Sequence, residues 1–262
     1  MRPRSLLMTF FGAFLRRLGG WIAVADLIAL MADVELDEQA VRSAVSRLKR
    51  RGVIAAERRG GAAGYRLTVH GIAILEAGDA RIFERRSTAA ADWLLVVFSV
   101  PEAKRALRHR LRTQLAWLGL GTVGSAVWIG PAHVEPEVRA LVSELGLAAH
   151  VELFRAQHAG FDALGAAVAG WWDLDAIAAE YRSYLDTWGG RRRTTVAFAD
   201  YLRQLDDWRR IPFHDPGLPA AALPSDWPGN AAWALFADLS ERLGPVALEH
   251  VEARTGARAR AA

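Results

Sequence analysis

The segment spanning residues 37–66 constrains the fold more than any other part of the chain. Val41, Ala44, Val45 and Leu48 fall at i, i+3, i+4 and i+7, the spacing of one apolar helical face. Asp37 supplies the N-cap of the helix expected over residues 38–51. The opposite face carries Gln39, Arg42, Ser43, Ser46, Arg47 and Arg50. Directly after it, residues 52–59 read as a short strand, 60–64 as a glycine-rich loop and 65–69 as a returning strand. Between Gln39 and Arg66 there are eight basic residues and one acidic residue. Such a helix and hairpin bury one face and offer the other to water or to an anion.

The preceding residues supply the rest of a small module. Ser5 is expected to cap a helix over residues 5–18, with Leu6, Leu7, Phe10, Phe11, Phe14 and Leu15 on a broad apolar stripe, and Gly19-Gly20 ends it. A second helix is expected over Val24–Ala32, packed through Leu27, Ile28 and Leu30. Three helices and a basic-tipped hairpin make a winged helix-turn-helix, the DNA-binding domain expected over residues 1–70. In that fold Gln39, Arg42, Ser43 and Ser46 reach base edges, because the first half of such a helix enters the major groove. Arg47, Lys49, Arg50 and Arg51 then fall to phosphates, as do the hairpin's Arg58, Arg59 and Arg66. The competing reading is a merely solvated charged face; the helix pair and hairpin beside it favour double-stranded DNA. Charge agrees: residues 1–86 hold 15 Arg and Lys against 9 Asp and Glu, whereas residues 87–262 hold 18 against 20.

Residues 71–91 read as a connecting helix, 72–86, and a hinge, 87–91. Residues 92–170 alternate strand and helix: strand 93–100, helix 102–118, a break at Gly119, Gly121 and Gly124, strand 126–129, helix 135–145 and strand 148–156. That order suggests a ferredoxin-like α+β domain, here a candidate dimerisation element for a homodimer. Residues 171–262 read as all-helical, with helices over Leu174–Trp188, 195–210 and 230–243 and a Pro-rich crossing between the last two. The whole is thus an α+β multidomain chain. Six of the ten tryptophans fall in this tail. They either fill its core or line a pocket for an aromatic or acyl ligand. The effector contacts of such a pocket are Arg191, Arg192, Arg193, Trp208, Arg209, Arg210, His214 and Trp227, the arginines suiting phosphate or carboxylate. His214-Asp215 beside Pro216 is also a turn-forming sequence.

Several classes are excluded. The chain has no cysteine, so no disulfide or thiolate site, and its seven histidines show no ligand-like pairing, so neither a metal nor a cofactor is expected. No catalytic residue is assigned, because no Ser-His-Asp ordering, P-loop or dinucleotide glycine fingerprint occurs. A nuclease built on the middle domain would need clustered carboxylates, and Asp92 and Glu102 stand at opposite ends of its first strand. No apolar stretch reaches the ~18 residues of a membrane span. Arg2 and Arg4 before apolar residues resemble a secretory leader, but Arg16 and Arg17 follow with no small-residue cleavage site, so the chain is expected to be cytoplasmic.

Ordered blocks along the chain resemble the PaaX family of bacterial repressors of phenylacetic acid catabolism. They are Ser5-Leu6-Leu7 with Phe11-Gly12, the run Gln39-Ala40-Val41-Arg42-Ser43-Ala44-Val45-Ser46-Arg47-Leu48 with Gly52, and Tyr65-Arg66-Leu67-Thr68 with Gly71. WLLVVFSVPE at 93–102, LAWLG at 115–119 with Val127-Trp128-Ile129, and WRRIPFHDPGLPAAALPSDWPG at 208–229 continue the set. The resemblance implies a winged helix, a central ferredoxin-like domain and a helical C-terminal domain at 171–262. It also implies homodimers on operator DNA, released by an acyl-CoA effector, phenylacetyl-CoA. The central domain is similar to the small CRISPR-associated integrase subunit, whose relatives carry an Asp near the end of the first strand. Here Val97-Phe98-Ser99-Val100-Pro101 has no acid, which supports dimerisation over cutting.

Overall fold

The computed structural model describes residues 3–84, 92–190 and 196–256. The expected hinge at 87–91 and Arg191, Arg192 and Arg193 lie outside the described residues. The chain is a mixed α+β protein.

The first helix, α1 (Pro3–Phe10), continues through a π-helical segment, Phe11–Leu15, so the expected helix over 5–18 starts earlier and changes pitch. Ser5 does not cap it: its hydroxyl donates to Asp206 Oδ1 at 2.7 Å, and the buried Thr9 hydroxyl donates to the same oxygen at 2.7 Å. A three-residue strand, β1 (Trp21–Ala23), leads into α2 (Val24–Ala32), which matches its expected bounds. After α3 (Glu38–Arg50) come β2 (Ile54–Arg59) and β3 (Ala62–Leu67). The five-residue loop contracts to Gly60-Gly61, both at positive φ (53° and 81°), which the tight turn of a twisted hairpin demands. Ala62, Ala63 and Gly64 therefore join the strand, opposite Arg59, Arg58 and Glu57. Periodicity could not find β1, which is too short; it pairs Trp21 with Arg66 and makes a sheet of order β1-β3-β2. The next helix, α4 (Val69–Phe83), begins earlier than expected because the Thr68 hydroxyl accepts from the Gly71 N–H at 2.9 Å.

In the middle of the chain, β4 (Asp92–Phe98), α5 (Arg105–Trp117), β5 (Gly121–Gly124), β6 (Val127–Pro131), α6 (Glu135–Glu144) and β7 (Val151–Gln157) follow in a β-α-β-β-α-β run. The strands form an antiparallel sheet of order β5-β6-β4-β7. Leu111 and Leu115 of α5 and Val138 and Val142 of α6 are buried with Leu94, Val96 and Phe98 of β4. The glycine break thus contains a strand, β5, whose glycines erase the alternation that would reveal it. A short helix, α7 (Leu164–Trp171), follows.

The tail holds α8 (Leu174–Trp188), α9 (Ala197–Trp208) and α10 (Gly229–Thr255). The last helix was expected to stop at Leu243, before Gly244 and Pro245, yet it runs through Pro245. Leu243, Ala247 and Val251 are all buried, and their packing outweighs the ~3 kcal/mol that an interior proline costs.

Contacts gather the chain into two compact units. The first is Met1–Phe83 with Tyr184–Trp208 and Trp233–Ala262; the second is Glu84–Ser183 with Arg209–Ala232. The contact grouping thus divides the tail, residues 171–262, between the two units. The physical reason lies in one apolar core. Leu6, Phe10 and Phe14 are buried with Val41, Val45 and Leu48 of α3, Phe198 and Leu202 of α9, and Ala247 and Val251 of α10. Phe198 sits 6.3 Å from Phe10 and 5.6 Å from Phe14, ring centre to ring centre. Among the described residues no helix is long and apolar enough to cross a membrane.

Candidate nucleic-acid interface

The geometry of α3 follows from its cap and its stripe. The Asp37 carboxylate accepts from the Ala40 N–H at 2.7 Å, which sets the helix start. Val41, Ala44, Val45 and Leu48 are each at most 3% exposed, so the helix cannot rotate about its axis. Gln39, Arg42, Ser43, Ser46, Arg47 and Arg50 are all left exposed on the outer side, together. Arg42 Nε donates to Glu38 Oε1 at 2.7 Å, an i,i+4 pair with both side chains more than half exposed. Arg47, Lys49, Arg50 and Arg51 have no ion-pair partner among the described residues. They crowd the C-terminal turn, where the helix dipole tolerates cations.

Strand alternation divides the hairpin arginines. Arg58 shares a face of β2 with Ile54 and Ala56, near the tip, and among the described residues reaches only the Gly61 carbonyl, at 3.4 Å. Arg59 and Arg66 lie on the other face, with Glu57 between them. Glu57 accepts from Arg59 Nε at 2.9 Å and lies 3.3 Å from Arg66 Nε. The Trp21 indole, missed by sequence reading because its strand is so short, is the floor of this face. Arg59 lies 5.6 Å over its ring, and a Cβ on Gly64 would fall 2.4 Å from the indole. Among the described residues the charge on the Arg58 side is thus unshared, and that on the Arg59 side is held by Glu57 and Trp21.

The tail residues fall into both units. Trp208, only 2% exposed, is core of the first unit: it stacks on Phe236 at 4.6 Å, meets Tyr184 edge to face, and donates its N–H to the Ile82 carbonyl at 3.0 Å. Trp188 and Trp172 are likewise buried, their indole N–H groups on Asp207 and on the Gly119 carbonyl. These positions fit the core-filling reading of the aromatic-rich tail. In the second unit Arg209 is half-buried and Arg210 exposed. His214 is exposed, its Nδ1 at 2.9 Å from the Glu180 carboxylate. Asp215 shapes the turn that follows, accepting from the Gly217 and Leu218 N–H groups at 2.9 and 3.2 Å. Its other oxygen accepts from the Tyr181 hydroxyl at 2.9 Å, and Tyr181 meets the half-buried Trp227 edge to face. Burial, with Asp215 beside it, holds the Tyr181 phenol well above its ordinary pKa.

Among the described residues no group of three or more His, Cys, Asp or Glu side chains is placed to hold a metal ion.

Residues 2–71 match the family model described as PaaX-like protein, residues 86–168 that of the PaaX protein central Cas2-like domain, and residues 172–253 that of the PaaX-like protein C-terminal domain. The chain is 27% identical over 260 residues to the transcriptional repressor PaaX of Escherichia coli (strain K12), covering 94% of this chain and 82% of that one. Among solved structures it is similar to the uncharacterized protein Rv0674 from Mycobacterium tuberculosis. The TM-score is 0.65 at 22% identity, over 95% of this chain and 98% of that one, a likeness of fold. The three models follow one another in order along nearly the whole length, and the chain belongs to the PaaX family.

Proposed function

We propose that this chain is a transcriptional repressor, a regulator and not an enzyme, that holds duplex operator DNA as a homodimer. In this reading the first unit's α2, α3 and β2–β3 hairpin are a winged helix-turn-helix. Gln39, Arg42, Ser43 and Ser46 read base edges in the major groove, and Arg47, Arg50, Arg58, Arg59 and Arg66 meet phosphates. The run β4–β7 with α5 and α6 is a ferredoxin-like element that joins two copies. One observation carries the reading: the exposed outer face of α3, whose four C-terminal cations have no acidic partner among the described residues. Solvated surface charges are normally interspersed with opposite sign, whereas a face built for phosphate is not. The name of the Escherichia coli relative supports the same direction.

In this reading the regulated genes serve aromatic-acid catabolism of the phenylacetate type, which the family resemblance supports, and an acyl-CoA such as phenylacetyl-CoA is the effector. Arg209, Arg210, His214 and Trp227 of the second unit are the described candidates for its contacts. An effector shifts binding only through its differential affinity for two arrangements of the dimer. A ~100-fold loss of operator affinity requires about 2.7 kcal/mol of coupling.

The experiment is a gel-shift titration on the DNA upstream of the chain's own gene and on a scrambled duplex, with and without phenylacetyl-CoA. The reading expects discrimination between the duplexes and release by the thioester. Equal binding to both duplexes removes the operator; unchanged binding at saturating thioester removes that effector.

A further inference from the structure

We infer that Arg203, His250 and Arg254 are positioning residues that fix the turn between α2 and α3, and through it the pose of the DNA-reading helix. This rests on the DNA-binding reading above.

The turn is small and unusually built. The Leu36 N–H donates to the Met31 carbonyl at 3.0 Å and the Glu35 N–H to the Ala32 carbonyl at 2.9 Å. This is the paired pattern of a Schellman helix end. Its left-handed position normally takes glycine, and here it is Glu35, at φ 62°, the one described non-glycine residue with positive φ. A glutamate at that position carries a conformational penalty that glycine would not. Its carboxylate is taken by Arg203 of α9, whose Nη2 donates to Glu35 Oε2 at 2.7 Å and to the Val34 carbonyl at 3.1 Å. The Arg203 side chain is only 13% exposed.

A second grip comes from α10. Asp33, immediately before this turn and 17% exposed at its side chain, accepts from His250 Nε2 at 2.7 Å and from Arg254 Nη2 at 3.1 Å. His250 and Arg254 are four residues apart, on one face of α10. The His250 ring is stacked on Phe198 at 5.3 Å and 17°, so it is held from the α9 side as well. Two residues after Glu35, Asp37 caps α3. Three side chains of the tail thus hold consecutive residues of the turn that sets where α3 begins. Sequence proximity could not create this: the partners are 168 to 221 residues apart.

Base readout is sensitive to the placement of the reading helix, whereas contact with phosphates along any duplex is much less so. Loosening the turn should therefore cost discrimination before it costs attraction. The test measures affinity for the upstream duplex and for a scrambled duplex with the full chain, at a temperature where every variant is folded by circular dichroism. Arg203→Ala is expected to lose operator affinity within the range of about 5- to 150-fold usual for coupled sites, with affinity for scrambled DNA held within about twofold. Arg203→Lys should restore most of the loss. Arg254→Ala, truncating a half-exposed side chain, should move in the same direction by less, so the test does not depend on Arg203→Ala folding. Glu35→Gly is the most discriminating variant: it relieves the left-handed backbone and should raise thermal stability while lowering discrimination, a combination that a purely structural role does not produce. If the wild type discriminates and these variants discriminate equally well, or lose both duplexes in proportion, the inference is overturned and the DNA-binding reading stands. If the wild type binds neither duplex, both are overturned.

Discussion

Arg42 offers the sharpest trial of the reading helix, because the free protein already gives its guanidinium a partner. Its pair with Glu38 is an i,i+4 contact at 2.6–2.7 Å between side chains that are 58% and 56% exposed. Exposed helix pairs of this kind contribute about 0.3–0.5 kcal/mol, so Arg42→Ala should lower stability by no more than that. A bidentate arginine–base contact discriminates by about 1–3 kcal/mol, and forming it requires giving up the Glu38 pair. The net loss on operator DNA is then about 0.5–2.7 kcal/mol, roughly 2- to 100-fold. Glu38→Ala should do the opposite: it frees the guanidinium and removes a negative charge from a face directed at phosphate, so affinity rises on any duplex. Fluorescence anisotropy titrations on operator and scrambled duplexes, each at two salt concentrations, measure both effects. A proportional loss on the two duplexes for Arg42→Ala, or weaker binding for Glu38→Ala, would refute the assignment of Arg42 to a base edge.

Other consequences are testable in the same preparation. Arg58→Ala, removing the unshared hairpin charge, should weaken binding to every duplex and reduce the salt slope by about 0.9, one phosphate's worth; Arg59→Ala should reduce it less, since Glu57 and Trp21 already hold that guanidinium. Gly64→Ala pushes a Cβ into the Trp21 indole, so chemical denaturation should show a loss of about 1–3 kcal/mol. Glu135 accepts hydrogen bonds from Arg139 and Arg155, which hold its carboxyl below the ordinary carboxylate range. That contribution is present above the unfolded carboxylate value and disappears as pH falls through the lowered one, so the stability gap between wild type and Glu135→Gln should be full near about pH 7 and close below about pH 4. Tyr181, Tyr184 and Tyr201, raised first by burial, should remain protonated past the ordinary phenol value of ~10 while the fold persists, as read from tyrosinate absorbance.

What could be read in advance was whatever local chemistry decides. The Asp37 cap and the 41, 44, 45, 48 stripe needed no distant partner, and α3 formed as they dictate. Val24–Ala32 and Leu174–Trp188 were equally legible. The outer face of α3 was legible too, because exposure follows once the apolar face is known. Strands β1 and β5 were not. One has three residues and the other is glycine at both ends, so neither carries a period-2 signal, and each exists only because a neighbouring strand pairs with it. Ser5 misled for a related reason: a serine near a helix start is a cap by local rule, but a buried carboxylate, Asp206, competes for its hydroxyl and prevails.

The tail shows where local reasoning stops. Its apolar periodicity marks α9 and α10 as helices that must bury a stripe, without stating against what. Phe198 and Leu202 could have packed on other tail helices; instead they share a core with Phe10, Phe14, Val41 and Val45, and Ala247 and Val251 join them from α10. Each large side chain buried this way contributes about 1.5–3 kcal/mol, a sizeable part of the 5–15 kcal/mol that holds a domain together. The module that carries α3 and its exposed basic face is consequently completed by residues more than a hundred positions downstream. Displacing α9 or α10 would withdraw part of the core beneath α3 and both grips on the turn before it.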